Sequence, residues 1–239
     1  MKVLNIAFYR FVDLAEVREL VGLRHQLLET CQCLHLKGKI ILSPEGVNAS
    51  LAVGVSEIRI FQEFLESFSF LKDLQYRESY SLSVPFKRML VKVKQQVIPS
   101  HEDVLPQQGT APRISAKELK RWLDEKKSFS FLDTRNDYEV ECGTFQEATH
   151  LGMKNFRQFA TKFQEVSHLC KKPLVMFCTG GIRCEKASMI AFEQGVEEVY
   201  QLDGGILKYF EEVGGEHYRG TCFVFDDRVA LDSQLKPQI

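Results

Sequence analysis

The sequence predicts an α/β chain of two domains, a ferredoxin-like α+β unit followed by a unit built on a parallel sheet. Three observations predict this. The first hundred residues order their apolar periodicities as β-α-β-β-α-β, the split βαβ pattern. Residues 99–113, PSHEDVLPQQGTAPR, hold three prolines, one glycine and little apolar content, a linker composition. Beyond them helices and strands alternate, which argues for a parallel sheet with ligands at the carboxyl ends of its strands. Domains are therefore expected at 1–98 and 114–215, with a linker at 99–113 and a tail segment at 216–239.

Residues 2–9 read as a strand, and Leu14, Val17, Leu20, Val21, Leu27 and Leu28 then recur at helical spacing. Two strands follow, Leu34 to Leu42 and Val47 to Val53, joined by a turn at Ser43-Pro44-Glu45-Gly46. Ile58, Phe61, Phe64, Leu65 and Phe68 mark a second amphipathic helix. The stretch from Leu74 to Ser83 has no clear period, so Met89 to Ile98 is taken as the last strand of the unit. After the linker, Ser115 and Glu118 form a capping box ahead of Leu119, Trp122 and Leu123. Phe129 to Leu132 is a short strand, and Phe156, Phe159, Phe163 and Val166 carry a helix. Leu174 to Phe177 is a strand, Cys184 to Glu193 a helix, and Val199 to Leu202 another strand.

Composition bounds the function. A net charge of −1 excludes a globally basic nucleic-acid coat, so a polyanionic partner must meet a local patch. The N-terminus is interrupted by Arg10 and Asp13 before an apolar run of signal length develops. No run approaches the ~18 apolar residues of a membrane span. Seven cysteines are an odd number without small-scaffold spacing, which fits a reducing cytoplasm. There is no internal repeat, Walker loop, dinucleotide fingerprint or HExxH helix. Cys31, Cys33 and His35 could form part of a metal knuckle, but no second pair follows at zinc spacing, and no metal site is expected.

The chemistry concentrates in Cys178-Thr179-Gly180-Gly181-Ile182-Arg183, which follows an apolar strand and precedes a helix. The glycines let the backbone curl, and a curled loop before a helix turns amides inward around an anion. Inward amides, a helix N-terminus and the Arg183 guanidinium would all favour an exposed Cys178 thiolate, the form competent for nucleophilic or sulfur chemistry. Two other readings stand beside this one. Free cysteines are often small buried core residues. Phosphatase loops are alike, but carry five residues between cysteine and arginine where this chain has four.

The loop resembles the active-site loop of rhodanese domains, which carry sulfur as a cysteine persulfide. FLDTRNDYEVECGTF, Phe131 to Phe145, is similar to the rhodanese Asp-x-Arg segment with its following Tyr-Glu, and LDGGI, Leu202 to Ile206, to the glycine turn after the next strand. CTGGIRCEKAS is narrower. With GKIILSPEGVNASLAV near the start and GTCFVFDDRVA near the end, it resembles the rhodanese-type tRNA uridine hydroxylases, whose N-terminal unit is acylphosphatase-like. The resemblance implies that the wobble uridine of tRNA becomes 5-hydroxyuridine with dioxygen as co-substrate. It gives Cys178 as the essential cysteine, Thr179 to Arg183 as its loop, and Asp133 with Arg135 as a brace. A plain surface ion pair is the alternative for that pair. Cys184 matches a second family cysteine, either a resolving thiol or a small residue in the helix's first turn. Asp226-Asp227-Arg228 could be catalytic by family position, but reads best as a turn docking the tail. Longer members continue into a cysteine-rich tail, and no such function is expected of these residues.

No flavin or iron motif accompanies the loop, and Cys178 could instead carry a persulfide. A thiosulfate or persulfide sulfurtransferase is therefore the competing enzyme, and a non-catalytic RNA-binding rhodanese module the competing binding protein. The fused N-terminal unit separates the first from a simple sulfurtransferase, which does not need it. Residues 1–100 hold 13 Lys+Arg against 10 Asp+Glu, so the positive half is the N-terminal one. Lys87, Arg88, Lys92 and Lys94 crowd one segment of it, with Lys92 and Lys94 on one strand face. They are the expected tRNA contacts, although lysines on an edge strand also guard against aggregation.

Overall fold

The structure, a computed structural model, describes residues 2–14, 17–100, 104–170 and 173–238. His101 to Asp103 of the expected linker and the side chain of Val17 lie outside the described residues. The chain divides into two compact units, Met1–Val97 and Ile98–Ile239.

The first unit runs β1 (Val3–Phe11), α1 (Val17–Cys33), β2 (Lys37–Ser43), β3 (Gly46–Gly54), α2 (Val55–Glu66), β4 (Arg77–Ser81) and β5 (Met89–Val93). Its sheet has the order β4-β1-β3-β2-β5, with β5 parallel to β2 and the other neighbours antiparallel. The first four strands make the expected ferredoxin-like sheet, but the assignment of the last strand needs correction. Its fourth strand is Arg77–Ser81, and Met89–Val93 is a fifth on the opposite edge. The sequence Arg-Glu-Ser-Tyr-Ser has no apolar alternation because β4 is a half-buried edge strand. It is held instead by main-chain pairing to β1 and by Asn5 Nδ2 donating to Ser79 O at 3.2 Å.

Leu27 and Cys31 of α1, with Ile58, Phe61 and Leu65 of α2, enter one core with Ile6, Ile40, Leu42 and Leu51 of the sheet. Val21 departs from the predicted face and is 47% exposed. Phe68 lies beyond the end of α2 and packs edge-on against Phe64.

The second unit contains β6 (Arg113–Ile114), α3 (Ala116–Asp124), β7 (Ser130–Asp133), α4 (Asp137–Cys142), β8 (Gly143–Phe145), β9 (Thr149–His150) and α5 (Phe159–Val166). It continues through β10 (Leu174–Phe177), α6 (Ile182–Glu193), β11 (Val199–Leu202), α7 (Gly205–Glu212), β12 (Tyr218–Gly220), β13 (Cys222–Phe223) and β14 (Ala230–Leu231). The main sheet is parallel throughout, in the order β6-β11-β10-β7-β9.

Both faces of this sheet are covered, as parallel sheets require. Leu132, Leu174 and Met176 enter one core with Phe159, Phe163 and Ile190. Phe131, Val175 and Phe177 enter the other with Trp122, Phe145 and Tyr209. Continuous burial along β10 explains why its sequence is an uninterrupted apolar run. Within the proline-rich stretch, Val104 and Ala111 are buried in the first of these cores. The capping box ahead of α3 is half made. Ser115 Oγ accepts from Glu118 N at 3.1 Å, but the Glu118 carboxylate turns to Trp122 Nε1 at 2.6 Å and to Arg121.

Candidate functional site

Cys178 stands one residue past β10, at the carboxyl edge of the parallel sheet, and Gly181 caps the N-terminus of α6. Gly181 adopts φ +97°, a left-handed conformation that side-chain-bearing residues resist. This curl aims its amide at Cys178 Sγ, 3.1 Å away, and the Arg183 amide also reaches the sulfur. Gly180 faces open space. On the other side α7 clasps the loop, with Ile206 N donating to Cys178 O at 3.0 Å and Leu207 N to Thr179 O at 3.1 Å. A Cβ on Gly205 would lie 2.4 Å from Cys178 O. The glycine turn therefore belongs to the site, because it lets α7 approach the loop's backbone.

The sulfur is fully buried, which corrects the expectation of an exposed thiolate. Burial pushes the Cys178 thiol up, yet opposing contacts outweigh it. The Cys184 thiol hydrogen-bonds to it, the Arg183 guanidinium attracts it, and the amides of Arg183 and Gly181 point at it, so its pKa falls below the ordinary thiol value. Cys184, also fully buried, moves the opposite way. Burial and the neighbouring Cys178 sulfur hold it well above the usual range. The pair thus shares one proton, with Cys184 as donor and Cys178 as thiolate. Thr134 Oγ1 lies 3.7 Å from Cys184 Sγ and donates to Phe177 O at 3.0 Å. Cys222 is pushed up to about 12 by burial and stays a neutral thiol.

Arg183 does not stand free beside the sulfur. Its two terminal nitrogens meet both oxygens of Glu139, at 2.5 and 2.7 Å, with the carboxylate wholly buried. Glu139 also accepts from Asn136 N at 3.2 Å at the start of α4, and from Thr179 Oγ1 at 3.4 Å. Sequence reasoning noted the Tyr-Glu pair without giving Glu139 a part. The available signal was Asn136 followed three residues later by Glu139, a capping-box pattern at the start of α4.

Asp133 and Arg135 are not a surface pair, for both are fully buried. Arg135 Nε reaches Asp133 Oδ1 at 2.9 Å and Nη2 reaches Oδ2 at 2.6 Å. Thr144 Oγ1 donates to the same carboxylate at 2.8 Å, and Arg135 Nη2 donates to Gly143 O at 2.7 Å. The bracing is indirect. This pair fixes the junction of α4 with β8, and α4 in turn presents Glu139 to Arg183.

The remaining candidates fall elsewhere. Asp226 and Arg228 pair at 2.6 Å and close the turn between β13 and β14, with Asp227 exposed on it. Cys31 is in the core of the first unit while Cys33 is exposed on the last turn of α1, and His35 follows the helix. No group of three or more His, Cys, Asp or Glu that could hold a metal occurs among the described residues. A cleft of about 530 Å³ opens beside α4, lined by Asp137, Cys142, His150 and Arg219 among others, and Cys178 is not in its wall.

In the first unit, Lys92 and Lys94 are exposed on the edge carrying β5, and Lys87 and Arg88 are exposed just ahead of it. Burial, then the charges of Lys92 and Lys94, hold the Lys39 ammonium below its usual value. Lys39 therefore joins their cluster. Its signal was the alternation Lys37, Lys39 along β2, which period two puts on one face.

Peptide-resolved alkylation against pH tests the cradle. Because the folded Cys178 thiol ionises below the ordinary value, its alkylation should persist at neutral pH and fall only as the pH drops through that lowered value. Cys184→Ala, which deletes the donor, should move the inflection up toward the ~8.5 of a free thiol, and Cys184→Ser should move it less. Equal inflections in the wild type and Cys184→Ala would refute the shared proton.

A parallel sheet with a cysteine loop at its carboxyl edge, clasped by a glycine turn, defines a rhodanese-like domain, and the rhodanese-like family model matches residues 115–212. Residues 3–97 match the UPF0176 acylphosphatase-like domain. The chain is 46% identical to the tRNA uridine(34) hydroxylase of Cupriavidus necator, over 99% of this chain and 86% of that protein. To the tRNA uridine(34) hydroxylase of Bordetella parapertussis it is 45% identical, over 99% and 98%. It belongs to the tRNA uridine(34) hydroxylase family. A solution structure of a rhodanese-like domain from Anabaena aligns at TM-score 0.39 and 20% identity, covering 46% of this chain and 79% of that one.

Proposed function

We propose that this chain hydroxylates the wobble uridine of tRNA at C5, with Cys178 as the reacting group. The observation that carries the reading is the match, through both units and at about 45% identity, to relatives bearing that activity's name. The chemistry of the loop agrees with it. A thiolate adding to C6 of uracil turns C5 into an enolate carbon able to attack an oxygen species. Dioxygen is the co-substrate in this reading. A two-electron thiol reductant balances the reaction: uridine, dioxygen and two thiols give 5-hydroxyuridine, water and a disulfide. Arg183, fixed by Glu139, and the amides of Gly181 and Arg183 keep the thiolate ionised until the base arrives.

The same reading assigns the enzyme to the cytoplasm. No helix among the described residues is long and apolar enough to cross a membrane. Nucleoside mass spectrometry of tRNA from cells lacking the gene tests the function. Loss of 5-hydroxyuridine and its derivatives is expected, and restoration by the wild-type gene but not by Cys178→Ser. Loss of thiolated nucleosides instead would establish a sulfurtransferase.

Lys39, Lys92 and Lys94 are the proposed phosphate contacts, with Lys87 and Arg88 beside them. Each phosphate contact releases counterions, so tRNA affinity should fall steeply with salt, and each lost contact should flatten the log–log slope by roughly one unit. Lys92→Ala with Lys94→Ala should weaken binding at low salt and leave Cys178 alkylation unchanged. Wild-type affinity and slope in that double variant would move the tRNA contact elsewhere.

A further inference from the structure

Beside the cysteine loop an aromatic series lies partly open to solvent. Tyr138 is the residue before Glu139 on α4 and is 42% exposed. Its ring meets Phe223 edge-to-face at 5.2 Å, and Phe223 meets Phe225 in the same manner at 5.2 Å. Phe225 is 63% exposed. The rings are joined to the loop on both sides. Glu139 holds Arg183 and receives Thr179, while Cys222, the residue before Phe223, is hydrogen-bonded to Thr179.

They are also held in place. Asn136 Nδ2 donates to Tyr138 Oη at 3.0 Å. The turn that carries Phe225 is closed by Val224 N donating to Val229 O at 2.8 Å and by the Asp226–Arg228 pair. Single exposed apolar residues are ordinary on a protein surface. A fixed run of three rings next to a reactive thiol is a ready platform for flat π-faces.

We infer that Tyr138, Phe223 and Phe225 form a stacking platform for the unpaired nucleobases that flank the target uridine. This rests on the proposed function, which makes the substrate a base in the single-stranded anticodon loop. Cys178 Sγ is fully buried, so the target base must leave its neighbours to reach it. Unstacking costs free energy, and aromatic side chains restore what the neighbours lose because every base has a π-face. The occupant is therefore RNA bases. A second copy of the chain on the same rings is the alternative that the test separates.

The test uses the full chain and an unmodified anticodon stem-loop RNA. Phe225→Ala and Tyr138→Ala should each weaken binding about tenfold. The salt slope should stay unchanged, because stacking contacts carry no counterions. Phe225→Trp should keep its affinity and report directly. The chain has one tryptophan, Trp122, which is buried, so quenching of the added indole by RNA reads stacking at position 225. Wild-type affinity in both alanine variants, or an indole that RNA does not quench, would overturn the platform. So would a wild-type dimer in sedimentation that Phe225→Ala dissociates. Hydroxylation by the wild type is followed in parallel. Its absence would sink the enzymatic reading, while quenching without turnover would leave the platform standing.

Discussion

Cys178→Ser is expected to reduce 5-hydroxyuridine formation by roughly 10³-fold or more, as loss of a covalent nucleophile does, with the melting curve close to wild type. Serine nearly matches cysteine in size, and the sulfur makes its contacts with the Gly181 and Arg183 amides and with Cys184, which a hydroxyl can keep. Nucleophilicity is what changes. Cys184→Ser, by contrast, leaves a donor beside Cys178 and should retain most turnover if the second thiol only holds the first. Two equally inactive variants with normal melting would mean that both sulfurs react, Cys184 then serving as one of the two reducing thiols. Full turnover in Cys178→Ser, measured by nucleoside mass spectrometry, would remove the cysteine from the reaction.

Glu139→Ala should be nearly as damaging to activity and far more so to stability. The carboxylate is wholly buried and makes two short bonds to Arg183, which is itself nearly buried. Removing one member of such a pair leaves a guanidinium unpaired in the interior, a loss of about 3–5 kcal/mol. For a domain of this size that lowers Tm by very roughly 10 °C. Calorimetry of Glu139→Ala with Arg183→Met should show much of this stability regained, since no unpaired charge remains, while hydroxylation stays lost. If Glu139→Ala melts like the wild type, the ion pair does not hold the loop. Recovery of turnover in the double variant would show that Arg183 is dispensable to the thiolate.

The chemical centre was legible in the sequence because its components are consecutive. A strand end, two glycines, an arginine and a helix start fall within a few residues of Cys178, and local backbone geometry turns their amides toward the sulfur. The strand β10 was legible for a similar reason, since Leu174–Phe177 is an apolar run buried along its whole length. Asp133 and Arg135 were visible as a motif but not as a buried pair, because charge and spacing look the same at a surface.

What the sequence determined by itself was the two-unit order, the strands and helices with a clear apolar period and the place of the candidate thiol, all properties of short windows of chain. The tertiary structure decided the rest. β4 carries no apolar period, so only its pairing with β1 makes Arg77–Ser81 the ferredoxin-like fourth strand. Burial of Cys178 follows from the packing of α7 and α6 around the loop, which no local pattern encodes. Glu139 and Arg183 are 44 residues apart, and the Tyr138–Phe223 contact spans a still longer separation. Such pairs exist only because β7 lies beside β10 and β13 folds back on α4. The physical reason is common to all of them. Backbone geometry and period are set by neighbours along the chain, whereas burial, ion pairing and ring contact are set by neighbours in space.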